Sequence, residues 1–113
     1  MKKFTAILLA FVMLFTFAAC GSKSTLTKDV ILNIVKDKGG SIQYSDFEEF
    51  EATEGINKYK TYTYELEYSN ILIVRTDKDT GETLEVRLLN GKEAIDLNKS
   101  SYSEVDKFFE EHK

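Results

Sequence analysis

Few residues in this chain have the chemistry to act on another molecule, and their spacing limits what each could do. Five carboxylates, Asp46, Glu48, Glu49, Glu51 and Glu54, fall within nine residues. Paired carboxylates do acid–base work when their surroundings push their pKa values apart. Strung along an open segment, they instead make a solvated face or a patch that attracts a cationic protein or peptide. Nucleophilic catalysis needs a Ser, Cys or Thr beside a base. The only imidazole, His112, stands at the frayed end of the last expected helix, where a structural or surface role suits it better. Asp77-Lys78-Asp79-Thr80-Gly81-Glu82 has the look of a calcium loop. An EF-hand, however, requires glycine at its sixth position and a bidentate Glu at its twelfth. Here glycine comes fifth and the twelfth residue is Leu88, so a hairpin turn accounts for the stretch. No glycine loop that could cradle a phosphate is present, since Gly39-Gly40 reads as a helix stop. These residues imply no catalysis, no metal and no cofactor.

The elements that must position these residues read as α+β. Val30, Ile31, Ile34 and Val35 form one apolar stripe at helical spacing. Thr27 is placed to cap, Asp29 suits the first turn, and Gly39-Gly40 suits a left-handed stop, so a helix is expected over 28–38. From Ile42 to Leu97 the period changes to two. In KYKTYTYELEYS, Tyr62, Tyr64, Leu66 and Tyr68 share one face, with Thr61, Thr63, Glu65 and Glu67 on the other. Those tyrosines are core if helices cover them, or an aromatic platform for peptide or glycan if they do not. ILIVRT (71–76) and TLEVRLL (83–89) are two further strands, and FEEFEAT (47–53) is a first one, returning through Glu54-Gly55-Ile56-Asn57.

Turn chemistry sets the expected registers. A left-handed Gly81 pairs Leu72 with Leu88, Val74 with Val86 and Arg75 with Glu85. A three-residue loop, Tyr68-Ser69-Asn70, sets Leu66 against Leu72 and Tyr64 against Val74. A shift of one residue would exchange the faces wholesale. Asn90-Gly91 is a strong hairpin signal and pairs Val86 with Ile95. Ser103, with Asp106 three residues on, resembles a capping box for a last helix with the apolar stripe Val105, Phe108 and Phe109. The layout is a helix, four or five antiparallel strands in meander and a second helix, in two layers.

The other end of the chain carries a different signal. Met1-Lys2-Lys3 is a positive head, and residues 4–19 contain no charge. Such a run, ending in small residues, reads as a secretory signal peptide and is short for a membrane span. FAACGS, residues 17–22, places the only cysteine, Cys20, after Ala18 and Ala19. These residues resemble the lipobox of bacterial lipoproteins, with Phe17 where that family usually has an aliphatic residue. The resemblance implies that Cys20 is joined by thioether to a diacylglyceryl group, carries acyl chains such as palmitate, and becomes the new N-terminus. Two acyl chains anchor stably where one does not.

The expected organisation is a signal peptide at 1–19, a lipidated Cys20 and tether over 20–25, and a single small domain over 26–113. Without the leader, 13 basic residues face 19 acidic ones, a net charge of −6. That balance disfavours nucleic acid and gives no electrostatic attraction to an anionic membrane, so lipid must hold the protein there. The architecture alone is similar to cystatin-like small lipoproteins, whose N-terminal helix packs across an antiparallel meander. The expected function is a non-enzymatic binding domain, lipid-anchored on the extracytoplasmic face of the cell membrane. Its partner would be an envelope protein, a secreted peptide or a bacteriocin to which it confers immunity. The alternative is an accessory or ligand-binding protein with a pocket between helices and sheet.

Overall fold

The computed structural model describes residues 24–113. The leader, Cys20 and the tether as far as Lys23 lie outside the described residues. Helix α1 spans Lys28–Lys38, as its stripe predicts. The Thr27 hydroxyl accepts from the Val30 amide at 3.4 Å and caps it. Ile31, Leu32 and Val35 are buried on one side, with Val30 and Ile34 packed at the margin. At the other end the Gly39 amide donates to Val35 O at 3.0 Å. Gly40 then takes φ +90°, a conformation open to glycine at little cost.

Five antiparallel strands follow in sequential order: β1 (Thr53–Ile56), β2 (Lys60–Glu65), β3 (Ile71–Thr76), β4 (Thr83–Asn90) and β5 (Glu93–Asp96). The β3–β4 register is the expected one, with Leu72 opposite Leu88, Val74 opposite Val86 and Arg75 opposite Glu85, until a shift at Thr76. Gly81 is left-handed at φ +80°, as the turn requires.

The other connections differ from the turn-based expectations. β2 ends at Glu65, and Tyr64 pairs with Leu72 and Tyr62 with Val74, two residues from the expected register. The loop is residues 66–70 rather than three residues. It is closed by Leu66 N to Asn70 O at 2.9 Å, with Tyr68 and Ser69 both at positive φ. Tyr68 therefore leaves the strand and is 62% exposed. The β4–β5 turn uses Gly91-Lys92, not Asn90-Gly91, because Asn90 is paired with Glu93 and Leu88 with Ile95. Gly91 at φ +60° occupies the first central position, and Lys92 needs no left-handed backbone, which is the type II′ pattern. Both slips are by two residues, so the apolar face survives each of them. The first strand is also displaced. Residues 47–49 are a turn, Phe47 is buried, and the expected return Glu54-Gly55-Ile56 is itself most of β1.

Helix α2 (Tyr102–Glu111) is capped by Ser101, two residues before the expected Ser103. Its hydroxyl accepts from Glu104 N at 3.2 Å while Glu104 Oε1 accepts from Ser101 N at 2.8 Å. Val105, Phe108 and Phe109 are buried as expected. They join Ile31, Leu32 and Val35 of α1 over Tyr62, Tyr64, Leu72, Val74, Val86 and Leu88 of the sheet in one core. Both helices thus cover a single sheet face, the two-layer α+β arrangement. The alternate residues, among them Thr61, Thr63, Ile71, Ile73, Arg75, Glu85 and Arg87, face away from the helices. There Arg75 and Arg87 flank Glu85 at 3.0 and 3.6 Å.

Candidate functional site

The five clustered acids do not act as one group. Asp46 belongs to a short 3₁₀ turn, Tyr44–Asp46. Its carboxylate accepts from Gln43 N at 2.9 Å and meets Lys38 Nζ at 3.2 Å, so it is committed to the join between α1 and the sheet. Glu48, Glu49 and Glu51 are exposed on the stretch that leads into β1. Glu54 lies within β1 opposite Tyr62, and its carboxylate is 3.7 Å from Lys60 Nζ. Immediately before β1 the chain is tied to its own start. Ser24 and Phe50 form a parallel bridge, and Glu51 N donates to Ser24 O at 2.8 Å. Ser24, placed in the tether by its composition, is exposed but joined to the folded domain by this bridge.

Every residue of β1 is exposed, and β1 is an edge of the sheet. Ile56 is 69% exposed, more than any other large hydrophobic residue among those described. The opposite edge differs: β5 is partly buried at Ala94, Ile95 and Asp96 and runs directly into a 3₁₀ turn at Leu97–Lys99. Sequence reasoning missed the β1 edge because a glycine after Glu54 looks like a turn, and the exposure of Ile56 shows only in the fold.

Behind β1, Tyr62 and Tyr64 resolve as core, while Tyr68 does not. Tyr44 stacks on Tyr62 with ring centroids 3.9 Å apart and planes 15° from parallel. Tyr64 is 1% exposed, and its hydroxyl donates to Phe47 O at 3.4 Å. Burial, with the Tyr62 hydroxyl beside it, pushes Tyr44 up to about 12. Burial likewise raises Tyr64 above the ordinary tyrosine range. Neutral phenols of this kind hold position by hydrogen bonding and do not serve as bases at physiological pH. Lys60, at the rim, has its pKa raised by its hydrogen bond to Tyr62 and by Glu54.

His112 is engaged at both ring nitrogens. Nδ1 lies 2.7 Å from Phe108 O and Nε2 lies 2.9 Å from Glu93 Oε1. Both neighbours are acceptors, so the doubly protonated ring satisfies them best. The hydrogen bond to Phe108 O and the Glu93 carboxylate raise its pKa. The Asp77 carboxylate is also used locally, accepting from Asp79 N at 2.8 Å and Thr80 N at 3.0 Å. Those amides hold its pKa low. Among the described residues, no group of three or more His, Cys, Asp or Glu is placed to hold a metal ion, and no helix is long and apolar enough to cross a membrane.

One groove of about 990 Å³ opens at the end of the sheet where Leu26, Glu51, Thr63, Leu66, Phe109 and Lys113 converge. Its lining mixes polar and charged side chains with Leu26, Ala52, Leu66 and Phe109, and Lys28 and Lys113 are both drawn to Glu110, at 3.3 and 3.0 Å. Its position beside Thr25 is the second feature that the sequence did not reveal, because its walls come from separate segments of the chain.

No family model matches this chain, and no curated protein or solved structure matches it.

Proposed function

We propose that this chain is a binding domain without catalytic activity, held by lipid at Cys20 on the extracytoplasmic face of a cell membrane. The observation that carries the reading is the engagement of Ser24 with Phe50 and Glu51. Only three residues separate Cys20 from Ser24, and four steps of fully extended chain span at most about 14 Å. A lipid on Cys20 therefore holds the folded domain directly against the membrane. The absence of catalysis is supported by the commitment of the one imidazole to Phe108 O and Glu93. The partner class is an envelope or secreted protein or peptide of cationic character, in keeping with the acidic approach to β1 and the net charge.

The test is metabolic labelling of the full chain in a bacterial host with a radioactive fatty acid. The wild type should carry label and fractionate with membranes, while Cys20→Ser should lose the label and retain its leader. An unlabelled wild type, or a labelled Cys20→Ser variant, overturns the reading.

The groove favours a second reading, a carrier of a small amphipathic ligand, because its volume falls at the upper end of the range for ligand sites, ~300–1,000 Å³. A ligand held there raises the thermal midpoint by mass action, which a shift screen detects.

A further inference from the structure

We infer that the free edge of β1 is a docking edge for an extended basic peptide segment of another protein, which adds to the sheet as a sixth strand. The inference rests on the binding-domain reading above and names its surface and partner chemistry. An edge strand presents unpaired backbone N–H and C=O groups that template another strand, and proteins commonly guard such edges with short length, charged side chains, proline, bulges or cover. β1, Thr-Glu-Gly-Ile, is short and carries one charge at Glu54, which selects for a basic strand, but it has no proline or lysine and all four of its residues are exposed. β1 pairs with β2 in an unbroken register from Thr53–Thr63 to Ile56–Lys60, so no bulge turns the edge away.

The side chains of β1 specify what fits. Glu54 and Ile56 project to one face, since residues two apart in a strand share a face. A residue laid opposite Glu54 meets a carboxylate that is 54% exposed and held by one ion pair 3.7 Å long. A basic side chain there gains a cross-strand pair. A residue opposite Ile56 covers the most exposed aliphatic side chain among those described, which favours an aliphatic partner. Between them, Gly55 projects to the other face, and a Cβ built on it would meet nothing within 4 Å. Its neighbour across the sheet is Thr61 and the next is Arg75. An aromatic ring opposite Gly55 can lie over that bare backbone towards Thr61, the arrangement by which aromatic residues compensate strand glycines. The segment is therefore basic, aromatic and aliphatic on three successive residues. A second copy of this chain is the poorer occupant: laid antiparallel with Lys58 opposite Glu54 it sets Asn57 and no ring against Gly55, and two domains of net charge −6 repel.

The probe is a fluorescein-labelled peptide with the palindromic core Lys-Phe-Val-Phe-Lys flanked by threonines, which presents the pattern in either strand direction. It is titrated against the full chain in detergent micelles. Two further peptides carry N-methyl groups on alternate amides, one peptide for each set. In an added strand only one set of amides faces β1, so one peptide should lose affinity about ten- to a hundred-fold and the other should bind nearly as the parent does. Glu54→Gln should weaken the parent about two- to five-fold, as for an exposed pair. The same core with Glu in place of Lys should bind less well. Equal effects of the two N-methylated peptides, no binding of the parent, or a chain that is dimeric by sedimentation and refuses the peptide would each overturn the inference. Such a failure leaves the labelling result at Cys20 untouched, so the anchor and the edge stand or fall separately.

Discussion

The sharpest consequence of the fold lies at Asn98, whose side chain imitates a strand. Its Oδ1 accepts from Ile42 N at 2.7 Å and its Nδ2 donates to Ile42 O at 3.0 Å, so one amide closes both polar groups of a residue that is 2% exposed. Asn98 itself sits in the 3₁₀ turn after β5, held by Asn98 N to Asp96 Oδ1 at 2.8 Å and anchored by buried Leu97. Asn98→Ala removes the amide and leaves the Ile42 N–H and C=O without partners. Each such group costs about 1–3 kcal/mol when buried. Water entering the shallow cleft beside Gly40 and Thr83 recovers part of this. We therefore expect a loss of about 2–4 kcal/mol, a large share of the 5–10 kcal/mol typical of a domain this size. With a urea dependence of about 1–1.5 kcal/mol per molar, the midpoint should fall by roughly 2 M. Asn98→Asp keeps an acceptor for Ile42 N but has no proton for Ile42 O, and should be intermediate near neutral pH. Equilibrium unfolding in urea followed by far-UV circular dichroism measures all three. If Asn98→Ala loses less than about 0.5 kcal/mol, the ordinary range for surface positions, the buried-pair reasoning is refuted.

Two further outcomes test the joins around α2. His112 has its folded pKa raised, so its contribution to stability is complete below its unfolded pKa of about 6.5 and fades as pH rises through the folded value. Besides Phe108 O, the charged groups bearing on it are Glu93 from β5 and Glu111 from its own helix. Unfolding midpoints of wild type and His112→Gln should differ most near about pH 5.5 and converge towards about pH 8.5; a gap independent of pH sinks the argument. Ser101→Ala should cost about 1 kcal/mol by removing the helix cap, whereas Ser103→Ala, two residues further along the first turn, should cost a few tenths at most. Equal losses in urea unfolding would place the cap wrongly.

Much of this fold could be read from the chain where local and long-range preferences agree. The helix at Lys28–Lys38 carries its cap, stripe and glycine stop within its own residues. The β3–β4 pairing was legible because Leu72, Val74 and Arg75 each find a matching partner in a single register. The turns that were misread answer to distant contacts. Asn90 next to Gly91 is a strong local turn signal, yet the Asn90 amide donates to Tyr68 O at 2.9 Å and Asn70 Oδ1 at 3.0 Å, twenty or more residues away. Those bonds hold Asn90 inside β4 and pass the turn to Gly91-Lys92. Asn70, 3% exposed, also donates to Glu67 O at 3.0 Å, which tightens the loop that removes Tyr68 from its strand. The site was less legible for a related reason. An edge is a property of strand order, and Glu54-Gly55-Ile56 has no local signal distinguishing an open edge from a turn.

Under the proposed anchoring, charge and tether length act together on how the edge is presented. Glu51 is bonded through its backbone to Ser24, so the acidic approach to β1 lies at the anchored end of the domain. Anionic headgroups repel those carboxylates over a Debye length of about 8 Å at physiological ionic strength. The tether allows at most about 14 Å, so repulsion and reach are of similar size. Such an anchor would keep the domain within that short reach of the surface while repulsion opposes close contact of its acidic end, which leaves the exposed strand open to the aqueous side. A basic segment drawn to the membrane by the same anionic lipids is concentrated in the layer where β1 stands. Neither the tether nor the edge charge alone provides this, since a long stalk would dilute the site and a neutral edge would not select its strand.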